Sequence, residues 1–427
     1  MNKISRIRTI VLLSMIALLP QLSWLAPTDT GATAIPDHVA LTWTGDPATT
    51  MTITWRTDSS VTSGIVQYQK GGQLSKKALQ VSAASRDFIT DLGATRLFTC
   101  TLTNLSPNSG YAYRVGDGER WSDQASFSTA RKNTRDFKFL VFGDSQSAVG
   151  VADPYGLWRK TLHNAYQANP DAKFMVNVGD LVDYGQMGVH WNAWFAAAKG
   201  VVDRIPEMPV SGNHEHFGSR DMTRPFYWAA QWVLPQNGPE GLKGQAYSFD
   251  YGPAHFVVLD SQAEEQKSHG DILALQKPWL EADLAASKAK WKIVFFHKPP
   301  YTIYPKRNND DIKAAFCPIM EKYGVDLVFN AHDHGIARTY PIRSGALMKR
   351  PSEGVIYYIA GSSGGKTYKA VQKMGYNSMF HNPVEQPNYF AVEVKEKKIT
   401  IKTILQDGTL FDEFFIDKQR DISSDRL

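Results

Sequence analysis

Asp144, Asp180, the pair Asn213-His214, His297, and His332 with His334 are oxygen and imidazole donors, and each closes a short apolar run. The runs 138–142, 174–178, 208–211, 292–296 and 326–329 read as buried strands, so five strand ends in succession carry such groups. Loops at the carboxyl ends of strands are where layered α/β folds collect functional residues. A lone Asp after a strand is an ordinary helix N-cap, and a lone buried His is ordinary hydrogen-bonded core. Five strand ends that all carry metal-ligand types point instead to a divalent-metal site. With no thiolate in the set, Zn, Mn, Fe or Ni would each suit it.

The elements that position these groups divide the chain near residue 131. The 427 residues allow two or three domains. A content of 43% hydrophobic and 21% charged residues is that of a globular protein with a core, and two cysteines exclude a disulfide scaffold. Cys100 and Cys317 read as buried free thiols. The net charge of +5 is too small to argue for nucleic acid, and no nucleic-acid partner is expected. Residues 39–129 alternate in seven short candidate strands, 39–42, 51–55, 64–68, 77–81, 97–102, 111–115 and 126–129, as in an immunoglobulin-like sandwich. This stretch resembles a fibronectin type III domain. Trp55 stands where that fold's core tryptophan belongs, and Leu105-Ser106-Pro107 with Tyr111 looks like its Leu-x-Pro…Tyr corner. Residues 130–135 form the linker. Beyond Asp136 apolar runs, with a further strand at 255–259, alternate with helical periodicity at 155–168, 189–199, 272–288 and 312–323, the texture of a layered α/β fold. Closing strands are expected over 389–416.

The first 34 residues read as a secretory signal. Lys3, Arg6 and Arg8 precede an apolar run at 10–19, and Ala32-Thr33-Ala34 offers a cleavage site. The run is too short for a span of about 20 helical residues. The expectation is an exported protein, secreted, periplasmic or cell-surface, with no stable membrane span after cleavage. The domains are then 35–131 (sandwich) and 136–427 (catalytic).

The ordered donor set resembles the calcineurin-like metallophosphoesterase family over residues 137–340. The family pattern is Asp-x-His, Gly-Asp-x-x-Asp, Gly-Asn-His-Asp/Glu, a lone His and Gly-His-x-His. This chain has Asp144-Ser145-Gln146, Gly179-Asp180-Leu181-Val182-Asp183, Gly212-Asn213-His214-Glu215, His297 and Ala331-His332-Asp333-His334. A sandwich ahead of such a core is similar to the layout of purple acid phosphatases. The resemblance implies an αββα four-layer catalytic domain and two metal ions, divalent or trivalent Fe, Zn or Mn. One would be held by Asp144, Asp180 and His334, with Gln146 as a fourth candidate. The other would be held by Asp180, Asn213, His297 and His332. Asp180 bridges, since two cations about 4 Å apart need an anion between them. Hydroxide between the metals would attack phosphorus in line. The resemblance makes His214 the group that protonates the leaving oxygen and Asp183 the residue that fixes its tautomer. Two departures follow. The first-motif His is Gln146, and the Tyr that purple acid phosphatases place three residues after the bridging Asp comes one later, at Tyr184. The resemblance therefore implies a general metallophosphoesterase without the coloured Tyr–iron bond.

Residues beside the motifs that could contact a terminal phosphate are His216, Tyr184, Lys298 and Tyr301. The segment Ala360–Thr367 nearly spells a phosphate-binding loop. Ala360 replaces its first Gly, however, so it reads as a glycine-rich turn lining the cleft, with Lys366 in reach of a substrate phosphate. The expected activity is that of a secreted phosphoesterase acting on a small phosphorylated substrate, monoesters before diesters. The alternatives are a phosphodiesterase on nucleotide or lipid head groups, and a surface-binding protein whose metallophosphoesterase domain has decayed.

Overall fold

The computed structural model describes residues 29–218, 224–382 and 386–425. Most of the expected signal segment lies outside them. Among the described residues, no helix is long and apolar enough to cross a membrane.

The first unit is a sandwich of β1 (Asp37–Thr42), β2 (Met51–Asp58), β3 (Ile65–Lys70), β4 (Leu79–Ser82), β5 (Ala84–Thr90), β6 (Gly93–Leu102), β7 (Gly110–Gly116) and β8 (Ala125–Ser128). Its antiparallel sheets run β1-β2-β6-β5 and β4-β3-β7-β8. Trp55 stacks on Phe98 at 5.3 Å in the core, and the Ser106 N–H donates to the Tyr111 hydroxyl at 2.7 Å, closing the tyrosine corner. Strand β5 has no counterpart among the seven expected. It buries only Phe88 and otherwise faces solvent, so its sequence carries almost no apolar alternation.

The second unit pairs β9 (Phe137–Phe142) in parallel with β10 (Ala172–Asn177) across α1 (Gly156–Ala168). Helices α2 (Gly188–Ala198) and α3 (Phe226–Gln231) follow. Then β11 (Tyr247–Tyr251) folds back on β12 (Ala254–Val258). Parallel strands β12, β13 (Trp291–Phe295) and β14 (Leu327–Asn330) are linked by α4 (Ile272–Ala286) and α5 (Asp310–Lys322). Next come β15 (Ile336–Thr339), a small hairpin of β16 (Ile342–Arg343) and β17 (Ala346–Leu347), β18 (Ile356–Ala360) and β19 (Asn377–His381). They complete a seven-stranded sheet, β11-β12-β13-β14-β18-β15-β19. Closing strands β20 (Asn388–Val394), β21 (Lys398–Leu405), β22 (Leu410–Asp417) and β23 (Ile422–Ser423) extend the other sheet to β10-β9-β20-β21-β22-β23. The expected strand at 208–211 is an extended segment beside β10. Its Met208 N–H donates to the Met175 carbonyl at 2.9 Å, but it forms only the single bridge Met175–Glu207.

The two sheets face each other through aromatic side chains, with Phe139 on Phe256 at 5.4 Å and Phe329 on Phe390 at 6.1 Å. Leu280, Phe316 and Met320 of α4 and α5 cover one outer face. Trp158 of α1 packs on Phe142 at 5.2 Å over the other. The result is four layers, αββα. Cys100 and Cys317 are buried and free.

The sandwich is fused to this domain by a continuous core. Leu41 donates to the Val202 carbonyl at 3.0 Å and accepts the Glu207 N–H at 2.9 Å, and His38 stacks on Phe195 at 4.3 Å. Strand β2 is buried at seven consecutive positions, as expected of a strand covered on both faces.

One buried ionic contact fixes α4 to its sheet. His255 Nδ1 meets Asp250 and Nε2 meets Asp283, both at 2.7 Å. Burial pushes this imidazole down, but the two carboxylates outweigh it and raise its pKa to about 9. The folded value lies above the usual 6.5, so the stabilisation is full below about pH 6.5 and fades as pH rises through about 9. Replacing His255 with Ala should therefore cost about 2 kcal/mol more at pH 6 than at pH 10 in urea denaturation. An equal loss at both values would mean that the pair stores no charge-dependent stability.

Candidate metal centre

The ends of β9, β10, β13 and β14 and the segment after Val210 converge at one edge of the facing sheets. Asp180, His297 and His332 bring one donor atom each within 4.8 Å of one another, and Asp144, Asp180 and His334 do the same. Asp180 is common to both groups. Asp144, Asp180, His297 and His334 are almost wholly shielded from solvent.

The backbone is strained to achieve this. Asp144, Asp180, His332 and His334 have φ of 49°, 53°, 69° and 57°. An L-residue in this left-handed region costs about 1–2 kcal/mol and persists only where its surroundings impose it. The surroundings are a mesh of loop-to-loop bonds. Asp144 N–H donates to the Gly179 carbonyl at 3.3 Å, Gln146 N–H to the Asp180 carbonyl at 3.0 Å, and His332 N–H to Asp144 Oδ2 at 2.9 Å. Gly212 lies so near Asp180 that a Cβ there would sit 2.2 Å from Oδ1.

Two buried carboxylates organise the mesh without joining either donor group. Glu215 accepts N–H bonds from Asp180 at 2.9 Å, Leu181 at 2.8 Å, Val182 at 3.3 Å and Gly212 at 2.6 Å, tying the second motif to the third. Asp333 accepts from Thr302 Oγ1 at 2.6 Å and Ile303 N at 2.7 Å, and pairs with Arg307, fixing the turn that presents His332 and His334.

The histidine tautomers show what the centre lacks by itself. Nδ1 of His297 bonds the Val178 carbonyl at 2.8 Å, and Nδ1 of His334 bonds the Lys366 carbonyl at 2.6 Å. Only a protonated nitrogen satisfies a carbonyl, so Nδ1 carries a proton in both rings, and in His334, which burial keeps neutral, Nε2 is a lone pair. His297 Nε2 lies 3.2 Å from Asp180 Oδ2, 3.2 Å from Asn213 Oδ1 and 3.1 Å from His332 Nδ1. His334 Nε2 is 3.4 Å from Asp144 Oδ1 and has no hydrogen-bond partner among the described residues. Burial holds His334 at about 3, and burial with the neighbouring His297 holds His332 well below its usual value, so both rings are neutral. Burial and the Asp180 charge push Asp144 well up. In Asp180 the burial effect is outweighed by His297 and His214, which hold it well below the usual range. Two buried carboxylates with imidazole nitrogens 3.2–3.4 Å from their oxygens form a donor set that suits cations. Gln146 directs its NH2 to Asp180 Oδ2 at 3.2 Å, and its buried Oε1 has no hydrogen-bond partner among the described residues, so an oxygen remains for a metal.

His214 stands beside this centre, its Nε2 3.9 Å from Asp180 Oδ2 and its N–H donating to Asp180 Oδ1 at 2.9 Å. Its Nδ1 donates to Asp183, but to the backbone carbonyl, at 2.6 Å, while the carboxylate is 3.4 Å away and accepts Lys366 Nζ at 3.1 Å. A tautomer-fixing carboxylate at Asp183 is thus replaced by a carbonyl.

The four substrate-contact candidates lie around the centre, in different settings. Tyr301 is core, packed on Tyr357 at 4.8 Å and Tyr376 at 5.4 Å. Lys298 is buried and tied to Glu265 at 2.9 Å. His216 is buried and feels the Asp260 charge. Tyr184 is exposed and lies against His190, 5.4 Å between rings, outside both donor groups. These four were chosen for nearness in sequence, and adjacent residues in a loop point different ways. Sequence reasoning passed over Glu215 and Asp333, although both lie inside quoted motifs, and Arg307, for which the sequence holds no signal.

Residues 36–129 match the family described as "Purple acid Phosphatase, N-terminal domain", and residues 137–335 match "Calcineurin-like phosphoesterase". The chain is 28% identical to the mouse (Mus musculus) protein named acid phosphatase type 7, over 77% of this chain and 78% of that one. It is 27% identical to the human (Homo sapiens) protein of the same name, over 90% and 91%. In fold it is similar to the purple acid phosphatase PPD1 of yellow lupin (Lupinus luteus) seeds, with a TM-score of 0.75 at 18% identity over 91% of this chain and 75% of that one. A structure titled PhoD superposes with a TM-score of 0.66 at 12% identity, over 95% and 93%.

Glu215 gives a test of the mesh that does not depend on chemistry. Glu215→Gln turns an amide NH2 toward N–H donors. It should destabilise the fold by about 3 kcal/mol in urea denaturation and reduce bound metal. A change under about 0.5 kcal/mol would remove Glu215 from this account.

Proposed function

We propose, from the premise that this chain is a calcineurin-like metallophosphoesterase fronted by a purple acid phosphatase N-terminal domain, that it is an exported binuclear-metal phosphatase acting on phosphate monoesters. The observation that carries this reading is the pair of buried donor groups sharing Asp180, with imidazole nitrogens 3.2–3.4 Å from carboxylate oxygens. Asp144, Asp180 and His334, with Gln146, would hold one ion, and Asp180, Asn213, His297 and His332 the other. Bound there, the two ions would supply an activated water nucleophile and neutralise charge on the phosphoryl oxygens. Their identity, Fe, Zn or Mn, is left open by a donor set of carboxylate, amide and imidazole.

The chain's own residues supply the rest. His214 is held by the Asp183 carbonyl with Nε2 turned toward the shared carboxylate, where it can bind or pass a proton at the leaving oxygen. Asp180 accepts the His214 N–H, so the catalytic histidine and the bridging carboxylate are set by one bond. The near-complete burial of Asp144, Asp180, His297 and His334 strengthens charge interactions there. The names of the animal relatives favour a phosphatase. Export follows from the basic and apolar start of the chain together with its cleavage site.

The test combines chelation with a substitution. Stripped protein should be inactive on 4-nitrophenyl phosphate and recover when refilled with Zn, Mn or Fe. His214→Ala should keep its metals but lose about 10²–10⁴-fold in kcat. Activity that survives removal of both metals would overturn the reading. Two tightly bound metals with no turnover of any ester, unaffected by His214→Ala, would favour the surface-binding alternative.

A further inference from the structure

The glycine-rich turn after β18 is not used by the donor groups, yet it is fastened to both of their loops. Ser363 N–H donates to the Gly143 carbonyl at 2.7 Å, and the Asp144 carbonyl accepts Gly364 N–H at 3.0 Å and Ser362 Oγ at 3.3 Å. At its other end the Lys366 carbonyl accepts His334 Nδ1 at 2.6 Å. A Cβ on Gly364 would stand 2.4 Å from the Ser145 and Gln146 carbonyl oxygens, so the close contact needs glycine. The backbone that carries Lys366 is therefore set by the same bonds that set Asp144 and His334.

The side chain crosses toward His214. Nζ of Lys366 donates to Asp183 Oδ1 at 3.1 Å and lies 3.4 Å from His214 Nε2, the ring atom that faces the shared Asp180 carboxylate. Its side chain is 36% exposed, so incoming solute can reach it. The other cations at the centre are engaged deeper in the loops, Lys298 with Glu265 and Arg307 with Asp333 and the His332 carbonyl. An ester whose leaving oxygen reaches His214 Nε2 brings its phosphoryl oxygens up to Lys366 as well.

We propose that Lys366 is a substrate-contacting residue whose ammonium bonds a non-bridging oxygen of a terminal phosphate and so selects phosphomonoesters over diesters. This deepens the hydrolase reading and rests on it. A lysine ammonium has three N–H donors; Asp183 takes one and His214 Nε2 lies in reach of a second, which leaves one for a phosphoryl oxygen. The terminal group of a monoester carries up to two charges and no second substituent, so it can accept this bond, whereas a diester has one charge and a second ester arm there. Lys366 acts as a fixed point charge, so arginine should serve in its place in part.

The metal-loaded full chain and its Lys366→Met and Lys366→Arg variants test this. Orthophosphate binding is measured by calorimetry, metal content by elemental analysis, and kinetics on 4-nitrophenyl phosphate and bis(4-nitrophenyl) phosphate. K366M should keep its metals while its Kd for orthophosphate and KM for the monoester rise at least tenfold. Its kcat/KM on the diester should change less than threefold, and K366R should recover most of the loss. Unchanged orthophosphate affinity in K366M, or an equal loss on both esters, overturns the proposal and leaves the hydrolase reading standing. Failure of the wild-type protein to turn over either ester removes both.

Discussion

The structure depends on one electrostatic constraint: two carboxylates and the imidazole nitrogens of three histidines are held together in a largely buried cluster. Asp144 and Asp180 cannot both be ionised in such a place without positive charge between them. Protonating the histidines is no remedy, since burial keeps His332 and His334 neutral. Backbone carbonyls already take the Nδ1 protons of His297 and His334. The fold therefore gathers negative charge and electron pairs at the cost of left-handed backbone at four residues. A cation pair removes the conflict, and such strain is expected where a site is organised before its ligand arrives.

The surroundings follow from this constraint. Glu215 and Asp333 are carboxylates whose lone pairs are satisfied by N–H and O–H donors from the ligand loops. They differ from Asp144 and Asp180 in lying outside both donor groups, and so are suited to bracing. The sandwich also takes part. Asp91, in the β5–β6 turn, accepts the Gly188 N–H at 2.9 Å, holding the first residue of the helix that follows Asp183 and Tyr184. With Leu41 bonded to Val202 and Glu207, the front domain is a wall of the catalytic domain and not a tethered module.

The sequence made the donor set legible because its members follow apolar runs, most of them strands, and strand ends are recognisable as apolar runs followed by polar residues. Asp144, Asp180, His297, His332 and His334 do converge as their types implied. The sandwich followed by an α/β domain was legible for the same reason, through runs and periodicity. Directions of side chains within loops were not legible. Tyr301 and Lys298 follow His297 closely, yet one turns into the core beside Tyr357 and the other toward Glu265. The tie of Asp183 to His214 was placed correctly in the chain but on the wrong atoms, because a carbonyl leaves no trace in residue type. Strand β5 escaped notice because its burial is tertiary, one phenylalanine resting on Phe226 and Tyr227 of the other domain.

The most direct measurement of the central claim is anomalous X-ray diffraction from crystals of the metal-loaded protein. The account requires two peaks about 4 Å apart astride Asp180, one with Asp144 and His334 as ligands and the other with Asn213, His297 and His332, each at about 2.0–2.2 Å. A single peak, no peak, or ions bound away from Asp180 would contradict it.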